Sequence, residues 1–264
     1  MGYATLEEIQ KASMDMLLEF HKFCEEHGIL YFLSYGTALG AVRHKGFIPW
    51  DDDTDVDMHV NDIEKLIKQW DLYGDKNTYF LQTKQTDPNV PRPFIRIRKN
   101  KTTSIDKGYE HIPMHWGLPL DIFPVYNYPD NKCAAKKMEK LYMFAFRTSN
   151  ISFYHYHLPK LIRSIGVLLC IWTLRRLKSI SDKAADSEFL MRTNSEQVIE
   201  LVPRTVYYPV KTMIFEGHSF FGMNQVEKYL EMVYGDYMTL PPVEKRKTHG
   251  GFVDLKNDYS KYMK

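Results

Sequence analysis

Three cysteines in 264 residues, Cys24, Cys133 and Cys170, are too few and too scattered for a disulfide framework or a zinc ligand set. Their odd number and wide spacing lead us to expect a reducing, cytoplasmic setting. Charge of one sign is also lacking: 35 Lys and Arg face 33 Asp and Glu, a formal net charge of +2. No global field recruits nucleic acid, so any anion binding has to be local. Missing too is a long apolar run. The most apolar stretch, SIGVLLCIWTL at 164–174, is roughly half the ~20 residues a spanning helix needs, and Arg163, Arg175 and Arg176 flank it. It reads first as a buried helix and second as a peripheral contact with the inner membrane face. The opening residues MGYATLEEIQ lack the basic-then-apolar order of a signal peptide. Neither an internal repeat nor a low-complexity segment is found.

What is present fits one large domain over 1–264: 44% hydrophobic and 26% charged residues support a sizeable core. Ile9, Met16, Leu17, Phe20 and Cys24 recur at helical spacing, and Thr5 with Glu8 forms a capping-box pattern, so 6–27 is expected to be a helix. ILYFLS (29–34) reads as a strand ended by Gly36, TALGAVRH as a short helix, and TDVDMHV as a second strand. Asn61 is the expected cap of the next helix. Further strands are expected at 78–83, 93–100 and 118–126. Helices are expected at 131–149, 158–178 and 182–192, with a hairpin near Glu216-Gly217 and a closing helix over 224–235. Together these give an α/β (α+β) fold: a mixed sheet flanked by helices, with a mainly helical insertion at about 131–200.

The most informative stretch is SYGTALGAVRHKGFIPWDDDTDVDM at 34–58. Asp51, Asp52, Asp53, Asp55 and Asp57 crowd into seven residues, and adjacent carboxylates repel unless a cation or proton neutralises them. On a strand, residues two apart share a face, so Asp53, Asp55 and Asp57 point together while Val56 and Met58 anchor the other side. Hard oxygen donors of this kind suit Mg²⁺, Mn²⁺ or Ca²⁺. A calcium loop of EF-hand type fails, because counting from Asp51 puts Val56 where glycine is required. A solvated acidic loop fits poorly beside an alternating apolar strand.

Asp121 supplies a further acid, alone between Leu120 and Ile122 in the apolar segment LPLDIFPVY. It is either paired with a buried base or aimed at a metal, and the lack of a neighbouring Arg or Lys in the segment favours the metal. Upstream, Gly36 and Thr37 lie at a strand-to-helix junction, where free N–H groups bind anions.

YGTALGAVRHKGFIPWDDDTDVDM, followed by PLDIFPVY and YGDYMTLPP…HGG, resembles the LicD family of the nucleotidyltransferase-fold superfamily, whose core is shared with fukutin and fukutin-related protein. The resemblance is scattered over most of 6–250 and is weak in 131–200. It implies transfer of a phospho-alcohol (phosphocholine, ribitol phosphate or glycerol phosphate) from a CDP-linked donor to a sugar hydroxyl. The acceptor implied is a glycan such as teichoic acid, capsule or lipopolysaccharide, and the basic segment 158–178 leads us to expect it lipid-linked at the inner membrane face. Carried over residue by residue, Gly36 and Thr37 bind phosphate, Asp53 and Asp55 form the metal pair, and Asp121 is the third ligand. Thr54 is less apolar than the family pattern prefers, which keeps Asp55-Val56-Asp57 open as a rival frame and Asp57 as a further ligand. Two Mg²⁺ or Mn²⁺ ions would then serve an in-line attack, with Asp53, Asp55 or Asp121 taking the proton.

Arg43 and Lys45 are candidates for reaching a phosphate or the nucleotide, and Trp50 for stacking on a sugar or base. Arg96 and Arg98 share a strand face that either lines the diphosphate or meets solvent. His249 matches a late histidine of the family. Two rivals use the same acids: a nucleotidyltransferase releasing pyrophosphate, and a non-catalytic metal- or glycan-binding module.

Overall fold

Thr5 opens the first helix as its pattern predicts: its hydroxyl accepts the Glu8 N–H, and the Glu8 carboxylate accepts the Thr5 N–H. A computed structural model describes residues 4–263, apart from 92, 94, 156, 194–198 and 249–250. Helix α1 (Leu6–Glu26) buries Ile9, Met16, Leu17, Phe20 and Cys24, the apolar stripe read from the sequence. Strand β1 is only Phe32–Leu33, and α2 starts directly after it at Tyr35–Arg43. Strand β2 (Asp55–His59) leads without a break into α3 (Val60–Tyr73). The cap of α3 is His59 rather than Asn61, because the His59 ring accepts the Asn61 N–H and takes the role two residues earlier.

Strands β3 (Tyr79–Gln82), β4 (Ile95–Lys99) and β5 (Thr103–Ile105) precede the long β6 (Leu118–Tyr128). Two helices follow, α4 (Lys132–Tyr154) and α5 (Lys160–Asp182), and then two strands, β7 (Phe189–Thr193) and β8 (Ile199–Pro203). A third helix was expected at 182–192. The chain instead turns back as β7, which pairs the end of β6 from Tyr126 to Tyr128. The segment 204–222 gives a short α6 (Arg204–Tyr207) and the hairpin of β9 (Lys211–Phe215) and β10 (His218–Gly222), which turns at Glu216-Gly217. Last come α7 (Val226–Tyr234) and β11 (Phe252–Asp254), which pairs β5. Gly235 ends α7 with φ +67°, a conformation that favours glycine.

Among the described residues the central sheet has seven strands, in the order β1-β2-β6-β4-β3, with β7 pairing β6 and β8 pairing β7. Strands β2 and β6 run parallel; the other pairs are antiparallel. Its main core is closed by α1, α3, α7 and the β9–β10 hairpin, with Val56, Met58, Leu120 and Ile122 fully buried in it. A second cluster, built from Met138, Tyr142, Cys170, Leu177, Tyr126 and Met191, seats the α4–α5 pair on β6 and β7. None of the described helices is long and apolar enough to cross a membrane.

Lys84 fastens the loop after β3 to α4, donating to the Val90 and Ser149 carbonyls at 2.8 and 2.7 Å. Burial pushes its ammonium down to about 8, whereas a lysine in the unfolded chain keeps about 10.4. Between those values the unfolded chain binds more proton, so stability rises with pH across that window, by up to ~3 kcal/mol. Urea unfolding at about pH 7 and pH 10 is expected to show this gain. Lys84→Met should lose it.

Candidate active site

The site is set by one ladder. In the parallel pairing of β2 with β6, Asp55 and Asp121 are register partners, on backbones roughly 4.8 Å apart. Asp55 is tied at both main-chain groups: its N–H donates to Thr37 Oγ1 at 2.8 Å, and its carbonyl accepts the Ser34 N–H at 3.1 Å. The start of α2 and the start of β2 are therefore one rigid unit. Asp121 N–H in turn donates to the Thr54 carbonyl at 3.0 Å. The loop before β2 is held from α1, where Gln10 Nε2 donates to the Asp51 carbonyl at 2.8 Å. A Cβ built on Gly36 would overlap the Asp51 carboxylate, so this acid lies directly against the backbone of the first turn of α2.

Electrostatics bind the acids into one group. The Asp55 carboxyl is pushed well above the usual carboxylate range, first by burial and then by Asp53, Asp121, Asp51 and Asp57. Asp121 has apolar sequence neighbours, but its partner across the sheet is a base. Arg96 Nε donates to Oδ1 at 2.6 Å and Nη2 to Oδ2 at 3.0 Å. Burial opposes the Arg96 charge, and Asp121, with Asp106 and Asp53, more than restores it. The pairing that the sequence seemed to lack comes from β4, in register opposite Asp121.

The donor set fits a hard divalent cation in kind. It offers carboxylate oxygens only, and the repulsion focused on buried Asp55 is what such a cation relieves. Among the described residues no three His, Cys, Asp or Glu side chains are already drawn into a coordination shell. A cation here would share Asp121 with Arg96.

The other expected site residues are spread more widely. Thr37 is buried and its hydroxyl is engaged by Asp55. Arg43 Nη1 donates to the Tyr237 carbonyl at 2.7 Å and Nε to His44 at 3.0 Å, fastening α2 to the chain after α7. Lys45 (φ +65°) lies beyond the far end of α2, where its carbonyl accepts the Glu216 N–H and it lines a groove with Lys211 and Glu227. Trp50 is half-buried, with the Arg246 guanidinium 5.3 Å from its ring centre. Arg98 is buried and donates to Gln82 Oε1 at 2.9 Å and the Gly117 carbonyl at 2.8 Å. His249 lies outside the described residues.

Asp57 shares the face of Asp55 but turns into a buried cage. Tyr207 donates to its Oδ2 at 2.6 Å, and Arg192 Nη1 lies 3.4 Å from the same oxygen. The Arg192 guanidinium sits between the Tyr35 and Tyr229 rings, 4.1 and 4.7 Å from their centres, and its Nε is 3.2 Å from Glu200. Sequence reasoning missed this cage, because it joins Tyr35 and Asp57 near the start of the chain to Arg192, Glu200, Tyr207 and Tyr229 near its end. It also missed Tyr234, which keeps 42% of its surface exposed but whose hydroxyl is pushed up by loss of water around it and then by Asp55, Asp51 and Asp53. The end of α7 thus stands in the field of the acids. The YGDYM motif was the available signal there.

Acids on neighbouring parallel strands, rigidly joined to a Gly-Thr helix start, define a core of nucleotidyltransferase type. The family model for the LicD/FKTN/FKRP nucleotidyltransferase domain matches residues 28–161, which hold every acid of the site. The chain belongs to this family. It is 27% identical to the lipopolysaccharide cholinephosphotransferase LicD of Haemophilus influenzae, over 94% of this chain and 97% of that protein. An uncharacterized protein of Rickettsia prowazekii is 37% identical over 62 residues, 22% of this chain and 23% of its own. The mannosyltransferase regulator 4 of Saccharomyces cerevisiae is 28% identical over 123 residues, 44% of this chain but 10% of that protein.

Removing Arg192 leaves Asp57 buried without its counter-charge, so Arg192→Met should cost about 3–5 kcal/mol in denaturant unfolding. Tyr207→Phe deletes one donor to the same carboxylate and should cost ~1–3 kcal/mol.

Proposed function

We propose that the protein is a phosphotransferase that moves a phospho-alcohol from a CDP-activated donor to a sugar hydroxyl of a cell-surface glycan, releasing CMP. The observation that carries this reading is the Asp55–Asp121 register pair joined through Thr37 to the start of α2. Similarity to a lipopolysaccharide cholinephosphotransferase along nearly the whole chain supports it and favours phosphocholine as the group moved. Three unpaired cysteines accord with a reaction in the cytoplasm.

In the step, the acceptor oxygen bonds to the phosphorus that carries the alcohol. The bond from that phosphorus to the CMP oxygen breaks, and the hydroxyl proton goes to a carboxylate. Asp55 suits that role by position, at the centre of the acid group and in register with Asp121. Asp121, held by both nitrogens of Arg96, suits orientation instead. Asp53, Asp55 and Asp121 would hold Mg²⁺ or Mn²⁺, with Asp57 kept from it by Arg192. Bound there, the ions would offset the charge of the diphosphate and of the leaving CMP. The N–H groups at Gly36 and Thr37, in the first turn of α2, would bind a donor phosphate, which would displace the Asp51 carboxylate that now lies against Gly36.

Incubation with CDP-choline, CDP-ribitol and CDP-glycerol, with and without Mg²⁺, tests the reading directly. CMP release that stops on chelation is expected; no release from any of the three donors, together with pyrophosphate release from CTP in a parallel incubation, would make the protein a nucleotidyltransferase instead. Asp55→Asn and Asp121→Asn should each slow transfer at least ~100-fold. Gly36→Ala puts a methyl where the Asp51 carboxylate now lies and narrows the space a donor phosphate would enter, so a loss of up to about 100-fold is expected in the same assay.

A further inference from the structure

The α4–α5 pair carries a surface that the site does not use. Along α5, Leu161, Ile162, Ile165, Leu168, Leu169 and Trp172 recur at helical spacing and all stand exposed. Leu161 is 72% open, Leu168 65% and Trp172 50%, values far above those expected for a helix that simply covers a core. The opposite face of α5 is properly packed. Val167, Cys170, Thr173 and Leu177 are buried, and Gly166 sits so close to α4 that a Cβ there would press on Ile151 at 3.3 Å. The exposed stripe is therefore a second face, rather than a core left open.

Charge decides what covers it. The whole stretch 132–183 contains two acids, Glu139 and Asp182, and both are engaged, by the Tyr128 hydroxyl and by Lys178. Continuing the stripe toward the end of α5 come exposed Arg175, Arg176 and Lys183, and the early turns of antiparallel α4 expose Lys136, Lys137 and Lys140. Arg176 lies over the Trp172 ring at 5.3 Å, at the border between the apolar and basic parts. A second copy of the chain would set these like charges against one another. An anionic surface with an apolar interior complements both parts at once.

We infer that this face docks on a bilayer bearing anionic lipid, with the Leu161–Trp172 stripe in the interface and the basic residues on the head groups. Leu161 to Trp172 covers about 16 Å of helix, which fits a helix lying along the surface; it does not span. The inference stands independently of the transferase reading, since its readout needs no turnover.

The test is co-sedimentation of the full chain with phosphatidylcholine vesicles and with vesicles of phosphatidylcholine and phosphatidylglycerol. Binding to the anionic vesicles is expected, at least ~10-fold stronger than to the neutral ones and weakened by salt. Leu168→Glu/Trp172→Glu and Arg175→Glu/Arg176→Glu should each lose at least ~10-fold, with unchanged melting. Equal, weak sedimentation with both vesicle types would overturn the inference. So would a wild-type dimer that the Leu168→Glu/Trp172→Glu change turns monomeric without any vesicle binding in either form.

Discussion

The parallel pairing of β2 with β6 is the constraint on which the rest of the molecule turns. Parallel strands slant their hydrogen bonds and need a long connection, and here that connection includes α3 and the antiparallel excursion through β3 and β4. The arrangement brings two carboxylates, sixty-six positions apart in the chain, to the same level of a single sheet. A slip of one residue would turn Asp55 into the apolar core and Val56 toward the acids. Val56 and Met58 resist such a slip because both are fully buried among the residues under the sheet.

Around that ladder, each acid has a different answer to the same electrostatic problem. Asp57 is neutralised internally by Arg192, and Asp121 by Arg96. Asp55 has no such base among its strongest influences; burial and four other acids dominate its setting. Placing two arginines at the flanks keeps the repulsion concentrated at the centre, where a ligand of opposite charge gains most. The Arg192 cage also ties α2, α7 and β7 to β2, since Tyr35 and Tyr229 clasp its guanidinium and the Tyr229 hydroxyl accepts the Tyr35 N–H.

Local patterns in the sequence carried much of this. The capping box at Thr5, the alternation after Asp53, the apolar segment around Asp121 and the turn at Glu216-Gly217 each depend on neighbours a few residues away. Those features appear where expected. Less legible was anything decided by distant partners. Asp57 looked equivalent to Asp55 in a two-residue period, and only Arg192 and Tyr207 separate them. Arg98 looked like a twin of Arg96, yet Gln82 and the Gly117 carbonyl bury it. Residues 182–192 read as helix because their apolar content fits either period, and the pairing of Phe189–Met191 with the end of β6 resolved the ambiguity.

The two long helices leave and rejoin the sheet at one point. Strand β6 ends at Tyr128, β7 begins at Phe189, and these two residues face each other across the ladder. Everything from 129 to 188 is thus a detour whose exits already touch. Such a loop-out can be lengthened, shortened or exchanged without moving a rung between β2 and β6. The fold thus keeps the rung that carries the acids apart from an attachment whose outer surface can change without disturbing it.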